Sequence, residues 1–321
     1  MRKPRVSTLW LFAGIVACAD LPALDSFAQS YPVKPIRILT SALGGSSDFA
    51  SRQIAQGITE SLGQPVIVDN RGNISGELAS KAPPDGYTLL LDGFSFWIAP
   101  LVQAMPYDPV RDFSAITLIS TAPTILVVHP SLPVKSVKEL IALAKAKPGE
   151  LNYASSGTGS SQHLAVELFK AMAGVNIVHV PYKGGATLMT ALIGGEVQLA
   201  FASTAMASPH INSNRLRALA VTSAQPTALF PGLPTLAASG VPGYEFTATV
   251  ALFAPAKTPE AIIDRLSRET VLFLNRAEVK KRFFNNGAET LGTSPAELAA
   301  SVKSDLAKWG KVIKDAGIRA D

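Results

Sequence analysis

Residues 152–173 read NYASSGTGSSQHLAVELFKAMA. A run of serine, threonine and glycine opens directly into an apolar-periodic stretch. Gly157 and Gly159 permit a tight strand-to-helix turn, and Ser160 or Ser161 stands where a helix cap is needed. Residues 155–161 carry no fixed charge. Their chemistry is that of backbone N–H groups and hydroxyls at a helix N-terminus, which either hold an anion reversibly or do no more than cap the helix. The same arrangement occurs earlier, in Gly44-Gly45-Ser46-Ser47-Asp48, with Ser46 or Ser47 as the expected cap. Three further stretches follow apolar runs: Gly93-Phe94-Ser95-Phe96-Trp97, Pro181-Tyr182-Lys183-Gly184-Gly185 and Phe201-Ala202-Ser203-Thr204. The aromatics alternate around Ser95, so one face suits a core and the other a ligand cleft. Tyr182 and Lys183 fit two roles equally: ring and charge for a cleft, or a ring stacked on the turn and a solvated amine.

The sequence offers little to an enzyme. It has no G-x-x-x-x-G-K-[ST] phosphate loop and no G-x-S-x-G nucleophile elbow. Gly157-x-Gly159 lacks the third glycine of a dinucleotide site. The four histidines, His129, His163, His179 and His210, form neither H-x-x-x-H nor H-E-x-x-H, so neither metal nor cofactor is expected. His163 retains one catalytic reading, as general base for Ser160 or Ser161 in a hydrolase. Its alternative is a polar residue in the first turn of a helix.

The elements that must position these loops alternate between short β-like runs and helical periods. Strands are expected at 36–41, 65–69, 88–91, 151–154, 177–180, 197–201 and 216–221. Helices are expected at 48–62, 162–173, 187–193, 259–275, 277–285 and 295–316. Such alternation predicts a largely parallel α/β sheet with ligands beyond the carboxyl ends of the strands. Two separate apolar runs, 124–129 and 247–253, bracket the second βα series. They are expected to be hinge strands between lobe 1 (31–123 plus 254–321) and lobe 2 (130–246).

The first 28 residues read as an export signal: Arg2, Lys3 and Arg5, an apolar run from Leu9, and Ser26-Phe27-Ala28 as a cleavage site. Ile15-Val16-Ala17-Cys18 is a competing lipobox that would anchor the chain at Cys18. Cys18 is the single cysteine, so no disulfide is available. The chain of 321 residues has net charge +5. Loss of the signal removes three basic and two acidic side chains, leaving +4. The basic residues are scattered without interleaved aromatics, which argues against nucleic acid.

These residues resemble a known family. YPVKPIRI at 31–38, GGSSDFASR at 44–52, LGQPVIVDNR at 62–71, PDGYTLL at 84–90 and PYDPVRDF at 106–113 carry the likeness. So do LNYASSGTGSSQHLAVELFKAMAGV at 151–175, HVPYKGGATLMTALIGGEVQLAF at 179–201, LRALAVTS at 216–223 and LPTLAASGVPGYE at 233–245. Over residues 31–321 the chain resembles the substrate-binding receptors of tripartite tricarboxylate transporters, the Bug receptors. The resemblance implies an α/β, two-lobed periplasmic binding protein type II fold with mixed sheets. It implies a periplasmic, monomeric, non-catalytic receptor that closes over a small organic acid and delivers it to a membrane permease. A periplasmic ligand sensor is the alternative role. The implied cleft residues are Ser46, Ser47 and Asp48 from the first lobe, joined by Ser95. From the second come Ser156, Gly157, Thr158, Ser160, Tyr182, Ala202 and Ser203. The chain departs from the family in a short segment before Gly44, in Gly72-Asn73 replacing a glycine-rich insert, in Ala202 where an acid is common, and in the aromatic stretch 94–97.

Overall fold

The computed structural model describes residues 31–41 and 43–318. The expected signal, its cleavage after Ala28 and Cys18 lie outside the described residues.

Within the described residues ten strands join one sheet, ordered β2-β1-β3-β9-β4-β7-β5-β6, with β8 and β10 also paired to β4. β1 (Ile36–Thr40), β2 (Val66–Asn70) and β3 (Thr88–Gly93) run parallel. β5 (Asn152–Ser155), β6 (Val178–Pro181) and β7 (Leu199–Ser203) form a second parallel set. Between them lie two long antiparallel strands, β4 (Phe113–Val128) and β9 (Thr247–Pro255). The sheet is therefore mixed, and the expected parallel pairing holds only for the outer sets. The apolar runs of β1 and β3 are buried almost throughout, as strands covered on both faces must be.

β4 belongs to both halves. Its first part, to Pro123, pairs with β9 and β10 (Glu289–Thr290); from Thr124 onward it pairs with β7 and β8 (Arg217–Val221). The changeover is fixed by side chains. The Thr124 N–H and hydroxyl both reach Thr222 Oγ1, at 2.8 and 3.0 Å, and Phe246 N–H donates to the Thr222 carbonyl at 2.9 Å. Residues 247–253 pair with β3 and β4 in the first half.

The helices follow local signals closely. α1 (Ser46–Leu62) ends at Gly63 in the left-handed region. α2 (Ser75–Ser80) is a short helix before β3. α3 (Phe94–Val102) follows β3 directly, where only a strand-end loop is expected. α4 (Val137–Ala146) is capped by Ser136, and α5 (Ser161–Ala173) by Ser160. α6 (Gly185–Ile193) and α7 (Thr204–Asn212) follow β6 and β7. α8 (Glu260–Leu274), α9 (Ala277–Asn285) and α10 (Pro295–Ala316) close the chain. α10 begins with a complete capping box of Ser294 and Glu297, and it packs on β4, α3 and α5.

An aromatic core lies beneath α3. Phe94 meets Trp97, Phe246 and Trp309 edge to face at 5.8, 5.5 and 5.3 Å. Phe96 stacks on Tyr107 at 5.0 Å and meets Phe113 at 4.9 Å. Trp97 Nε1 donates to Asp305 Oδ2 at 3.0 Å, tying α3 to α10.

Candidate ligand-binding cleft

The ends of β1, β3 and β5 surround a cleft of about 370 Å³, within the range of small-molecule sites. One wall is Ser41, Gly72, Asn73, Ser75, Gly76, Asp92, Ser95, Phe96, Val102 and neighbouring residues; the other is the loop 156–160. The walls meet where Gly159 approaches Val102: a Cβ on Gly159 would stand 3.4 Å from Val102 Cγ1.

The loop is built to expose donors. Gly157 and Gly159 have φ of 130° and 76°, which only glycine adopts without strain. Several groups are consumed in holding its shape. Gly157 N–H donates to Ser155 Oγ at 3.2 Å, Gly159 N–H to His163 Nδ1 at 3.0 Å, and Ser160 N–H to the Gly157 carbonyl at 3.2 Å. Ser156 Oγ donates to Gln162 Oε1 at 2.8 Å, and Ser160 Oγ accepts from His163 N–H at 3.3 Å. Among the described residues the N–H groups of Thr158, Ser161 and Gln162 and the Thr158 hydroxyl have no partner in the chain. These lie at or just before the N-terminus of α5, where the helix dipole also favours an anion.

His163 is part of that support. It is buried, stacked on His179, and its Nδ1 is occupied by the Gly159 N–H. Burial, then the neighbouring His179, push its pKa down to about 4, so it is neutral near pH 7. It therefore positions the loop and is not free to take a proton from Ser160. His179 Nε2 lies 2.6 Å from Ser155 Oγ, and its pKa is lowered by burial.

Asp92, at the end of β3, is the unforeseen residue of the site. It is buried, and burial raises its carboxyl to about 6 against hydrogen bonds that favour ionisation. Its Oδ1 accepts from Gly93 N–H at 2.7 Å and Ser47 Oγ at 3.4 Å, and its Oδ2 from Ser75 Oγ at 3.1 Å. A lone Asp closing the apolar run TLLLD is its only sequence signal. Ser41, Asn73, Ser75 and Gln103 also line the cleft without a motif to announce them.

The expected site residues divide clearly. Ser95, Ser156, Gly157, Thr158 and Ser160 line the cleft, and of the aromatic stretch Phe96 does so. Phe94 and Trp97 are core. Ser47 reaches the cleft only through its bond to Asp92. Ser46 is exposed at the start of α1, whose cap position is Gly45 with no side-chain bond; neither Ser46 nor Ser47 serves as cap. Asp48 turns away and holds the preceding turn. Its Oδ2 accepts from Gly44 N–H at 3.1 Å, and Oδ1 from Asn70 Nδ2 at 2.9 Å and Arg52 Nη2 at 3.0 Å. Burial opposes its ionisation, but the bonds from Arg52, Asn70 and Gly44 hold its carboxyl below the usual range. Ala202 is fully buried beside Ile125, its partner across the sheet. Tyr182 packs on that same second core, Lys183 is exposed, and Ser203 is the cap position of α7. None of these last four lines the cleft.

A family profile described as "Tripartite tricarboxylate transporter family receptor" matches residues 50–318. Protein BugT of Bordetella pertussis is 33% identical over 312 residues, 95% of each chain. Among solved structures, Rpa4515 of R. palustris with adipate is 35% identical with a TM-score of 0.80, over 91% of this chain and all of that one. MatC from Rhodopseudomonas palustris with bound malate is 26% identical with a TM-score of 0.78, over 88% of this chain and all of that one. The architecture is the periplasmic binding protein fold, and the family matched is one of solute-binding receptors rather than enzymes. The chain belongs to the tripartite tricarboxylate transporter receptor family.

Proposed function

We propose that the protein is a periplasmic receptor that binds a small organic acid and delivers it to a transporter of the tripartite tricarboxylate type. A carboxylate of the ligand sits on the loop 156–160, held by the Thr158, Ser161 and Gln162 amides and the Thr158 hydroxyl. The observation that supports this reading is the unpartnered Thr158 amide and hydroxyl in a cleft whose lining has no basic side chain, next in sequence to the unpartnered Ser161 and Gln162 amides at the start of α5. Adipate and malate in the two related structures support the ligand class. Export rests on the N-terminal signal. The halves on either side of the Thr124–Thr222 junction are the lobes, and the cleft closes between them.

The energetics suffice. A partly buried helix N-terminus contributes up to about 2 kcal/mol. Each hydrogen bond to a charged acceptor adds about 1.5–3 kcal/mol. Two or three such bonds, less the cost of association, reach micromolar affinity. Calorimetry with carboxylic acids and their amides tests the proposal. Acids should bind at least tenfold more tightly, and Thr158→Val should remove about that factor. Amides binding as well as acids would defeat it.

A further inference from the structure

The cleft holds one charged side chain, and it is negative. Of the residues lining it, Asp92 and Tyr107 alone can titrate, and there is no lysine, arginine or histidine among them. Tyr107 donates its hydroxyl to the Phe96 carbonyl at 3.0 Å, and burial raises its pKa, so it stays neutral. Among the described residues no basic side chain is ion-paired to Asp92. Arg52 is paired with Asp48 and Arg71 with Asp69. Three neutral donors reach Asp92, from Gly93, Ser47 and Ser75. A carboxylate has about four acceptor positions, so one remains for the cleft.

A buried carboxylate without a cationic partner is costly, and the cleft is the direction from which a partner can come. A second carboxylate brought beside it would meet like charge in a low-dielectric site. A protonated nitrogen would supply the missing cation and the missing donor together. We propose that the ligand is a zwitterion of the amino-acid type, with its ammonium group against Asp92 and its carboxylate on the loop 156–160. This rests on the carboxylate reading above and goes beyond it by assigning the other end of the molecule. Asp92 then sets specificity: it favours amino acids and ω-amino acids over dicarboxylates of equal length.

The test is calorimetry on the full mature chain with three sets of probes. These are ω-amino acids of four to six carbons with common α-amino acids, dicarboxylates of matching length, and the amides of the amino acids. At pH 7.5 the best amino acid should bind at least tenfold more tightly than the matching dicarboxylate. Asp92→Asn should weaken amino-acid binding at least tenfold and strengthen dicarboxylate binding, with thermal unfolding showing that the variant is folded. The wild-type comparison needs no variant and decides the matter if Asp92→Asn does not fold. Dicarboxylates equal to or tighter than amino acids would overturn the assignment of Asp92 while leaving the carboxylate reading intact. Amides equal to amino acids, with Asp92→Asn still damaging, would overturn the carboxylate reading and with it the zwitterion. A wild type that binds no amino acid in the panel also overturns the assignment.

Discussion

The imidazoles of His163 and His179 lie face to face, 4.1 Å between centroids and 8° apart in plane. Tyr153 extends the group, 4.9 Å from His179, and its hydroxyl donates to Glu167 Oε1 at 2.6 Å. Lys170 Nζ bonds the same oxygen at 2.6 Å. Two of these rings hold the glycine-serine loop of the cleft directly, through Gly159 and Ser155. The loop's shape therefore depends on two neutral histidines.

That dependence has a pH signature. Burial and His179 lower the His163 pKa from 6.5 to about 4, with Lys170 acting in the same direction and Glu167 against it. Between these values the unfolded chain binds more protons than the folded one. Stability should therefore rise from about pH 4 to about pH 6.5 and be lost on acidification, by up to roughly 3 kcal/mol. Thermal unfolding from pH 4.5 to 7.5 should show a shallower rise for His163→Gln than for the native chain. Parallel curves would refute the assignment.

Asp92 works in the opposite sense. Its carboxyl is raised from 3.8 to about 6, so the folded chain holds the extra proton in that window. Its contribution to stability falls as pH increases from about 4 to about 6, by up to roughly 3 kcal/mol. Relative to the native chain, Asp92→Asn should melt at a higher temperature at pH 7.5 than the same comparison gives at pH 4. A pH-independent difference would show that Asp92 does not carry the penalty.

Gly159→Ala should abolish most ligand binding while the fold persists. The added Cβ occupies a φ of 76° and stands 3.4 Å from Val102 Cγ1. The backbone strain costs about 1 kcal/mol, and the loop must shift its donors to relieve it. Val102→Ala in the same chain should not restore affinity, because the strain lies in the backbone. Calorimetry of the double variant reads this directly.

Phe94 and Phe96 should separate stability from binding. Phe94 is enclosed by Trp97, Phe246 and Trp309, so Phe94→Leu should cost about 1–3 kcal/mol and leave affinity within twofold. Phe96 lines the cleft, and Phe96→Leu should also change affinity. Chemical denaturation paired with calorimetry would distinguish the two. Equal affinity in both variants would make Phe96 a core residue only.

Lobe closure should turn on the Thr124–Thr222 junction. Thr222→Val removes the acceptor of the Thr124 N–H and should cost about 1–3 kcal/mol. Solution scattering of the native chain should show compaction at saturating ligand. Unchanged profiles would argue that the halves do not move.

Local periodicity made much of the fold legible. α9 and α10 begin and end where their patterns do, because caps such as Ser294 with Glu297 act within one turn. The strands of the parallel sets lie within about two residues of their apolar runs. α3 was not legible: FSFWIAPLV is apolar on nearly every side and contains Pro100, so no helical period stands out. The first part of β4 was also missed, because its buried and half-buried residues do not alternate regularly.

For the candidate site, glycines, hydroxyls and a helix start were enough to single out a loop that the structure places along the cleft, since its turn and cap are specified within a few residues. The sequence alone also determined the absence of familiar catalytic motifs. Only the folded loop decided which donors remain free: Ser155, Gly157 and His163 consume three of its N–H groups locally, and His179 arrives from β6 to hold Ser155. The tertiary structure alone separated Phe96 from Phe94, and it alone withdrew Ala202 and Tyr182 into a second core. Asp92 belongs wholly to this category. Its type is written in the chain, but that its partners are two hydroxyls, of Ser47 and Ser75, and the Gly93 N–H rather than a cation is decided by the fold, since electrostatics is set by distance in space rather than along the sequence.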